Sequence, residues 1–155
     1  MPTIYFSLGT NLGDKERNLH TAVRKIEERV GNVLSLSAFH ATAPWGFASE
    51  NTFLNAALCA KTALSPLEVL EITQQIEREM GRTHKSVNGQ YSDRVIDIDL
   101  LLAFADDGTP IVLDTPELKL PHPLMQERDF VMRPLAEITS IATPFSETAL
   151  TRKQP

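Results

Sequence analysis

A single cysteine, Cys59, occurs in 155 residues. That excludes an internal disulfide framework and makes the cytoplasm the expected compartment. Set within the apolar run "TFLNAALCAK", Cys59 is expected to be a small core residue and not a nucleophile. Positive charge is also scarce: 15 Lys and Arg stand against 20 Asp and Glu, a formal net charge of −5. The chain therefore lacks the broad basic surface that nucleic acid or anionic membranes require, and an anionic ligand would have to be met by a local cluster. No run approaches the ~18 apolar residues of a membrane span, and "MPTIYFSLGTNLG" has no basic segment followed by a long apolar one, so neither export nor insertion is expected. The common nucleotide-binding loops are missing too. There is no G-x-x-x-x-G-K-S/T and no G-x-G-x-x-G after a strand, so any nucleotide must be held in another way.

What is present suits one compact domain over residues 1–155, with a tail after about residue 140 that carries no definite pattern. Hydrophobic residues at 42% and charged ones at 23% fall in the globular range. Thr3 to Leu8 alternates as a strand and breaks at Gly9. From Asp14, apolar residues at Leu19, Ala22, Val23, Ile26 and Val30 predict a first helix, with Gly31 as a left-handed cap. "NVLSLSAFH" alternates as a second strand, "ATAPWGFASEN" is a loop, and "TFLNAALCAK" a third strand. Ser65, Pro66 and Glu68 form the start signature of a second helix ending at Gly81. "RTHKSVNGQYSD" is long for an idle connection and is expected to be a working loop. "DRVIDIDLLL" is the next strand, followed by a turn "ADDGTP" able to form a hairpin, a short strand "IVL", a proline-rich segment and a short helix within Met125 to Ile138. The order is β-α-β-β-α-β. The expected fold is α+β, a ferredoxin-like core with a mainly antiparallel sheet, helices packed on one face, an added hairpin, and the other face free to build a site.

The strand "DRVIDIDLLL" poses a chemical question. Side chains alternate on a strand, so Ile96, Ile98, Leu100 and Leu102 should face the helices while Asp97 and Asp99 share the other face. The two carboxylates then sit with Cα atoms about 6.6 Å apart, two strand rises. An exposed polar face explains one Asp readily. Two are harder to dismiss, because aspartate is a poor strand former and neighbouring like charges repel, so the pair asks for a cation. Magnesium suits it, since that ion takes one or two protein carboxylates and completes its shell with water and phosphate oxygens. Arg82, Lys85 and Arg94 flank this strand, with Arg128 further on. Each alone reads as a solvated surface residue; together around the Asp pair they outline a phosphate clamp.

These pieces, "SLGTNLGD", "ATAPWG", "FLNAA", "QQIEREMGR", "DRVIDIDLLL" and "LPHPLMQERDFVMRPL", occur at the spacing of one family. From residue 3 to about 138 the chain resembles 6-hydroxymethyl-7,8-dihydropterin pyrophosphokinase of the folate pathway. The resemblance implies transfer of pyrophosphate from ATP to the pterin hydroxymethyl oxygen, with release of AMP. It implies that Asp97 and Asp99 hold two Mg²⁺ ions on the ATP phosphates, and that Arg82 and Arg94 meet phosphate charge as part of the catalytic set. Gln74, Glu77, Lys85, Ile98, His122 and Arg128 correspond to nucleotide-site positions, Ile98 mainly through its backbone. Phe53 and Phe130 match a pair that sandwiches the pterin, and Asn55, two residues after Phe53 on the same side of the strand, matches a contact to its ring edge. Thr42, Ala43 and Trp45 occupy the loop that touches the same ring; Trp45 either covers the pocket or anchors the loop. By residue type alone, Phe53 and Phe130 would be ordinary core. His84, Tyr91, Lys119 and Pro123 depart from the family pattern, which touches ATP affinity and loop closure and leaves the metal pair intact.

The implied mechanism is in-line attack of the pterin oxygen on the β-phosphorus of ATP, with closure of the 82–93 loop and no dedicated base beyond Asp97. The expected partners are ATP and the pterin, without nucleic acid or membrane, and the chain is expected to act as a monomer. Two alternatives remain. One is a non-catalytic ferredoxin-like ligand-binding module, which in an RNA-binding form should carry aromatics in a basic context where this strand carries carboxylates. The other is a Mg-dependent phosphotransferase moving one phosphate on the same scaffold.

Overall fold

The computed structural model describes residues 1–42, 52–81 and 95–142. Along the chain these form β1 (Thr3–Thr10), α1 (Lys15–Arg29), β2 (Asn32–Leu36), β3 (His40–Thr42), β4 (Phe53–Lys61), α2 (Pro66–Glu79), β5 (Asp97–Phe104), β6 (Leu113–Asp114), β7 (Lys119–Leu120) and α3 (Asp129–Ala142). The sheet runs β2-β4-β1-β5, with β3 also pairing β4. The pairings in this sheet are antiparallel, the order expected of a split β-α-β-β-α-β core. A small β6–β7 ladder is added to the core, in a different place from the hairpin expected across the turn "ADDGTP". The turn at Ala105–Thr109 closes an isolated bridge between Phe104 and Pro110, with the Ala105 N–H donating to the Thr109 carbonyl and the Ile111 N–H to the Ala103 carbonyl.

The helices begin where the sequence places them. Asp14 caps α1 by accepting from the Arg17 N–H at 3.2 Å. Ser65 caps α2 in a reciprocal box, its hydroxyl accepting from Glu68 N–H while the Glu68 carboxylate accepts from Ser65 N–H. These bonds satisfy amide groups that the first helical turn otherwise leaves open. Gly81, at φ 112°, supplies the left-handed residue just past α2.

β1 carries both faces of the sheet. Ile4, Phe6 and Leu8 point one way and pack with Leu19, Ala22 and Ile26 of α1, Val69 and Ile76 of α2, Ile98 and Leu100 of β5, and Ile96 just before it. Tyr5 points the other way, into a second cluster with Ala57, Cys59, Leu101, Phe104, Met125 and three residues of α3, Val131, Leu135 and Ile138. α1 and α2 therefore share one face as expected, and α3 covers part of the face that the sequence left open. Its stripe Val131, Leu135, Ile138 recurs at helical spacing and needs an apolar surface, which only that half of the sheet offers. Cys59 is buried here, and burial pushes its thiol up to about 11, as befits an inert core residue.

Several local expectations change. The second strand, expected over 32–40, ends at Leu36, and β3 takes in Ala41 and Thr42 from the expected loop; the strand expected over 111–113 forms at Leu113–Asp114. β1 does not break at Gly9 but continues through Thr10. Leu102 does not face α1 and α2. Tyr5 pairs with Leu102 while Phe6 pairs with Leu100, so Leu101 is an extra residue, and the bulge inverts the alternation beyond it. Leu102 consequently packs on the α3 side and Ala103 on the other. Gly31 is not a left-handed cap, since α1 ends through Val30 in right-handed geometry. Gly31 is needed for space: a Cβ there would lie 2.1 Å from the Lys61 carbonyl oxygen, where β2 starts against the end of β4.

Two predictions follow from this packing. Gly31→Ala removes unfolded-state entropy worth about 0.4–1 kcal/mol, but the collision is with backbone and cannot be relieved by a rotamer change. The variant should lose on the order of 1–3 kcal/mol in denaturant melts; unchanged or raised stability would contradict the close approach. The second concerns Glu79, which ties α2 to α1 through Arg29 at 2.6 and 2.7 Å and Lys25 at 3.2 Å. The Arg29 hydrogen bonds, then Lys25, lower its carboxyl from 4.5 to about 2. A depressed folded-state value means the tether contributes above the unfolded-state pKa and is lost as acid titrates the folded-state group. The melting-temperature gap between wild type and Glu79→Gln should therefore be constant above about pH 5 and close between there and pH 2. A gap independent of pH would show that the tether contributes nothing.

Candidate active site

The site lies on the α3 face of the sheet, beyond the edge of the apolar cluster, and the strand registers assemble it. Asn55 pairs with Gly9, Gly9 with Asp97, and His40 with Asn55. Directly opposed residues share a face, so His40, Asn55, Gly9 and Asp97 form one row across four strands. The next row along carries Ala57, Ser7 and Asp99. Thr42 pairs with Phe53 at the outer end of β3 and β4, on the same face by the two-residue period. The Asn55 side-chain NH₂ donates to the Thr42 hydroxyl at 2.7 Å, which fixes the orientation of this buried amide. Gly9 forms the floor. A Cβ there would stand 3.1 Å from Asn55 Oδ1 and 3.8 Å from Phe53 Cδ1, so glycine leaves both side chains an unobstructed surface. Lys15 Nζ donates to the Thr52 carbonyl at 3.1 Å and to its hydroxyl at 3.2 Å, pinning the chain just before Phe53.

The second half of the site is the edge of β5 that faces away from β1. Glu77 is buried on α2 and its Oε2 accepts from the Ile98 N–H at 2.8 Å. At the far end the His122 N–H donates to the Leu101 carbonyl at 2.8 Å. Between these two closures lies a cavity of about 250 Å³, lined by Leu70, Ile98, Asp99, Leu100, Lys119 and His122 among others. Backbone groups alternate sides along a strand, so the Ile98 carbonyl and the Leu100 N–H point the same way as the Ile98 N–H, toward this cavity. They form an acceptor and donor pair flanked by apolar side chains, suited to the edge and faces of a flat heterocycle.

Electrostatics separate the histidine from the arginine. His122 Nδ1 accepts from the Leu124 N–H at 3.1 Å, so in the neutral ring the proton sits on Nε2. Burial lowers the pKa of His122, and the attraction of Asp97 opposes this only in part; at neutral pH the ring is an uncharged donor. Burial also lowers Arg128, but a guanidinium keeps its charge. Its Cζ lies 5.8 Å from the centroid of the Phe130 ring, a cation–π stack at the start of α3.

The residues expected from sequence thus fall into two groups that meet at the aspartates. Thr42, Phe53 and Asn55 gather with Asp97. Glu77, Ile98 and His122 gather with Asp99, and Lys119 and Pro123, two departures from the family pattern, line the same cavity. Both aspartates are half-buried. Gln74 sits one turn before Glu77 on α2, half-buried and outside the cavity lining. Arg128 and Phe130 are brought to each other beside the α3 cluster. Ala43, Trp45, Arg82, Lys85 and Arg94, together with His84, Tyr91 and the 82–93 loop, lie outside the described residues. Sequence reasoning missed Gly9, Ser7, Leu70 and Leu100. Only the register reveals the first two, and the only signal for Gly9 was a glycine amid strand-forming residues.

The chain as a whole is similar to known proteins. The family model described as 7,8-dihydro-6-hydroxymethylpterin-pyrophosphokinase matches residues 5–140. A 2-amino-4-hydroxy-6-hydroxymethyldihydropteridine pyrophosphokinase of Porphyromonas gingivalis is 47% identical over 148 residues, covering 96% of this chain and 98% of that protein. The protein of the same name from Bacillus subtilis is 41% identical over 135 residues, covering 86% of this chain and 76% of its own length. Among solved structures, HPPK-DHPS of Plasmodium falciparum superposes with a TM-score of 0.64 over 88% of this chain at 16% identity. That likeness concerns the fold, and the chain spans 41% of that longer protein. On the extent of the family match and the identity to these relatives, the chain belongs to the 7,8-dihydro-6-hydroxymethylpterin-pyrophosphokinase family.

Proposed function

We propose that the chain transfers the terminal pyrophosphoryl group of ATP to the hydroxymethyl oxygen of 6-hydroxymethyl-7,8-dihydropterin, releasing AMP, as a step of folate biosynthesis. The observation that carries this reading is the position of the two carboxylates. Asp97 stands in the row with Gly9 and Asn55, while Asp99 lines the cavity at the β5 edge. A reaction between two ligands needs its charge-handling groups at the seam between their sites, and this is that seam.

The pterin belongs on the Gly9 floor, its ring edge meeting the Asn55 amide and the Thr42 hydroxyl, and its faces meeting Phe53 and Phe130. The adenine belongs in the β5-edge cavity, against the Ile98 carbonyl and the Leu100 N–H. At about 250 Å³ the cavity holds a base and part of a sugar, so the triphosphate must extend out over Asp97 and Asp99. Glu77 keeps the β5 edge in register there, and Gln74 stands beside it on α2. His122 offers a neutral Nε2–H and Arg128 a fixed positive charge to phosphate oxygens. Arg82, Lys85 and Arg94 flank Asp97 in the sequence and complete the positive charge that the reading requires.

Members of this family use ATP, generally with Mg²⁺. Among the described residues no group of three or more His, Cys, Asp or Glu is placed to hold a metal ion. A pair of half-buried aspartates fits an ion that takes one or two protein carboxylates and keeps its other positions for water and phosphate. Asp97 and Asp99 would hold two such ions, which when bound would neutralise the charge that develops on the transferring phosphates. The chain's own contribution is to align the hydroxymethyl oxygen with the β-phosphorus and to exclude water from the stacked ring. Asp97, the carboxylate on the pterin side, is placed to take the hydroxyl proton. The described residues of this site, on the main sheet, on α2 and between Lys119 and Phe130, lie within the span of the family match, which supports a single functional domain. No described helix is long and apolar enough to cross a membrane, in keeping with cytoplasmic work. The bulge in the short edge strand β2 and the capping of the β5 edge blunt both sides of the sheet, as suits a monomer.

Asp97→Ala and Asp99→Ala should each reduce turnover by at least roughly a thousandfold, an effect of the size seen when transition-state charge stabilisation is removed. Pterin binding, read by calorimetry without nucleotide, should change far less. Near-normal turnover in both variants would exclude the aspartates as the metal site and with them the proposed geometry.

A further inference from the structure

The two walls assigned to the pterin belong to different parts of the fold. Thr42, Phe53 and Asn55 are fixed to each other by the β3–β4 ladder, but Phe130 rides on α3. α3 rests on the sheet through Val131, Leu135 and Ile138 against Tyr5, Ala57, Cys59 and Leu101. Apolar contact of this kind is strong but non-directional, and it leaves a helix free to settle along its axis. Something directional must choose that position, and Glu137 provides it. Its Oε1 accepts from the Ala38 N–H at 2.9 Å, and its Oε2 meets His40 Nε2 at 2.5 Å. Ala38 lies in the bend, residues 37–39, that leads into β3, and His40 is the first residue of β3. The bend is itself held to β4, because Ser37 N–H donates to the Ala57 carbonyl and Ala57 N–H donates to Ser37 Oγ. His40 stands directly opposite Asn55. Glu137 follows Phe130 by two helical turns, a rise of about 10 Å on nearly the same side of α3.

We propose that Glu137 is a positioning residue for the pterin site: by clasping residues 38 and 40 with both carboxylate oxygens it fixes α3 against β3 and so sets the gap between Phe130 and the wall of Thr42, Phe53 and Asn55. It touches neither substrate. The proposal rests on the assignment of this pocket to the pterin, and it adds a residue that neither the sequence motifs nor the strand registers single out. Its consequence is selective, since the β5-edge cavity is built from α2, β5 and the 116–123 segment, none of which Glu137 holds.

The test is steady-state kinetics and equilibrium pterin binding on Glu137→Ala, Glu137→Gln and His40→Ala, with melting curves for each. Glu137→Ala should raise the pterin KM and Kd roughly tenfold, a misplacement effect, with kcat and the ATP KM nearly unchanged. Glu137→Gln retains an oxygen for the Ala38 N–H and should recover most of the loss. His40→Ala keeps the Ala38 bond and should fall between, and it decides the matter if Glu137→Ala does not fold. Unchanged pterin affinity in the folded variants, or an equal loss for ATP and pterin, would overturn the proposal. Wild-type protein that binds no pterin would instead remove the functional reading itself.

Discussion

The pairing of β1 with β4 on one side and β5 on the other is the constraint on which the rest of the molecule depends. A β-strand commits alternate side chains to opposite faces, and slipping any of the three by one residue would carry its whole set across the sheet. In the observed register, Gly9 is flanked by Asn55 and Asp97. A one-residue slip of β5 would turn both aspartates toward α1 and α2 and bring Ile98 and Leu100 into the site. Burying two unpaired carboxylates among Phe6, Leu8, Leu19 and Ile76 would cost several kcal/mol each, far more than a strand register usually contributes. The aspartates therefore specify the register as firmly as the register specifies them.

The division of labour between the two faces follows. Beneath α1 and α2 the sheet is continuously apolar, and each fully buried aliphatic side chain there contributes about 1.5–3 kcal/mol. That face can carry the stability of the domain. On the other side, α3 covers only the half where Tyr5, Ala57, Cys59, Leu101 and Phe104 are apolar, and the uncovered half holds polar and charged groups that water or ligands can solvate. The bulge at Leu101 marks the border. Before it, β5 alternates aliphatic with aspartate; beyond it, Leu102 and Phe104 both turn to the α3 side. β5 thus carries the proposed site at one end and core residues at the other.

Much of this could be read from the sequence, for identifiable reasons. Helix starts were legible because Asp14, Ser65, Pro66 and Glu68 act locally, through hydrogen bonds within one turn. The face of Asp97 and Asp99 was legible because a two-residue period needs no tertiary information. What failed was non-local. The bulge at Leu101 depends on how β1 meets β5, the steric role of Gly31 on the backbone of Lys61, and the side taken by α3 on which half of the sheet is apolar. Gly9 looked like the end of a strand because its role, leaving space beneath Asn55 and Phe53, involves residues more than forty positions away. Glu137 gave no signal at all, since an isolated glutamate on a helix is ordinarily a solvated one.

The central claim is that the aspartate seam serves transfer of two phosphates at once. It is tested most directly by identifying the products formed from Mg-ATP and 6-hydroxymethyl-7,8-dihydropterin by the purified protein. Pterin-dependent AMP in equal amount with a pterin diphosphate is the predicted result. ADP with a pterin monophosphate, or no pterin product while both ligands bind, would contradict it.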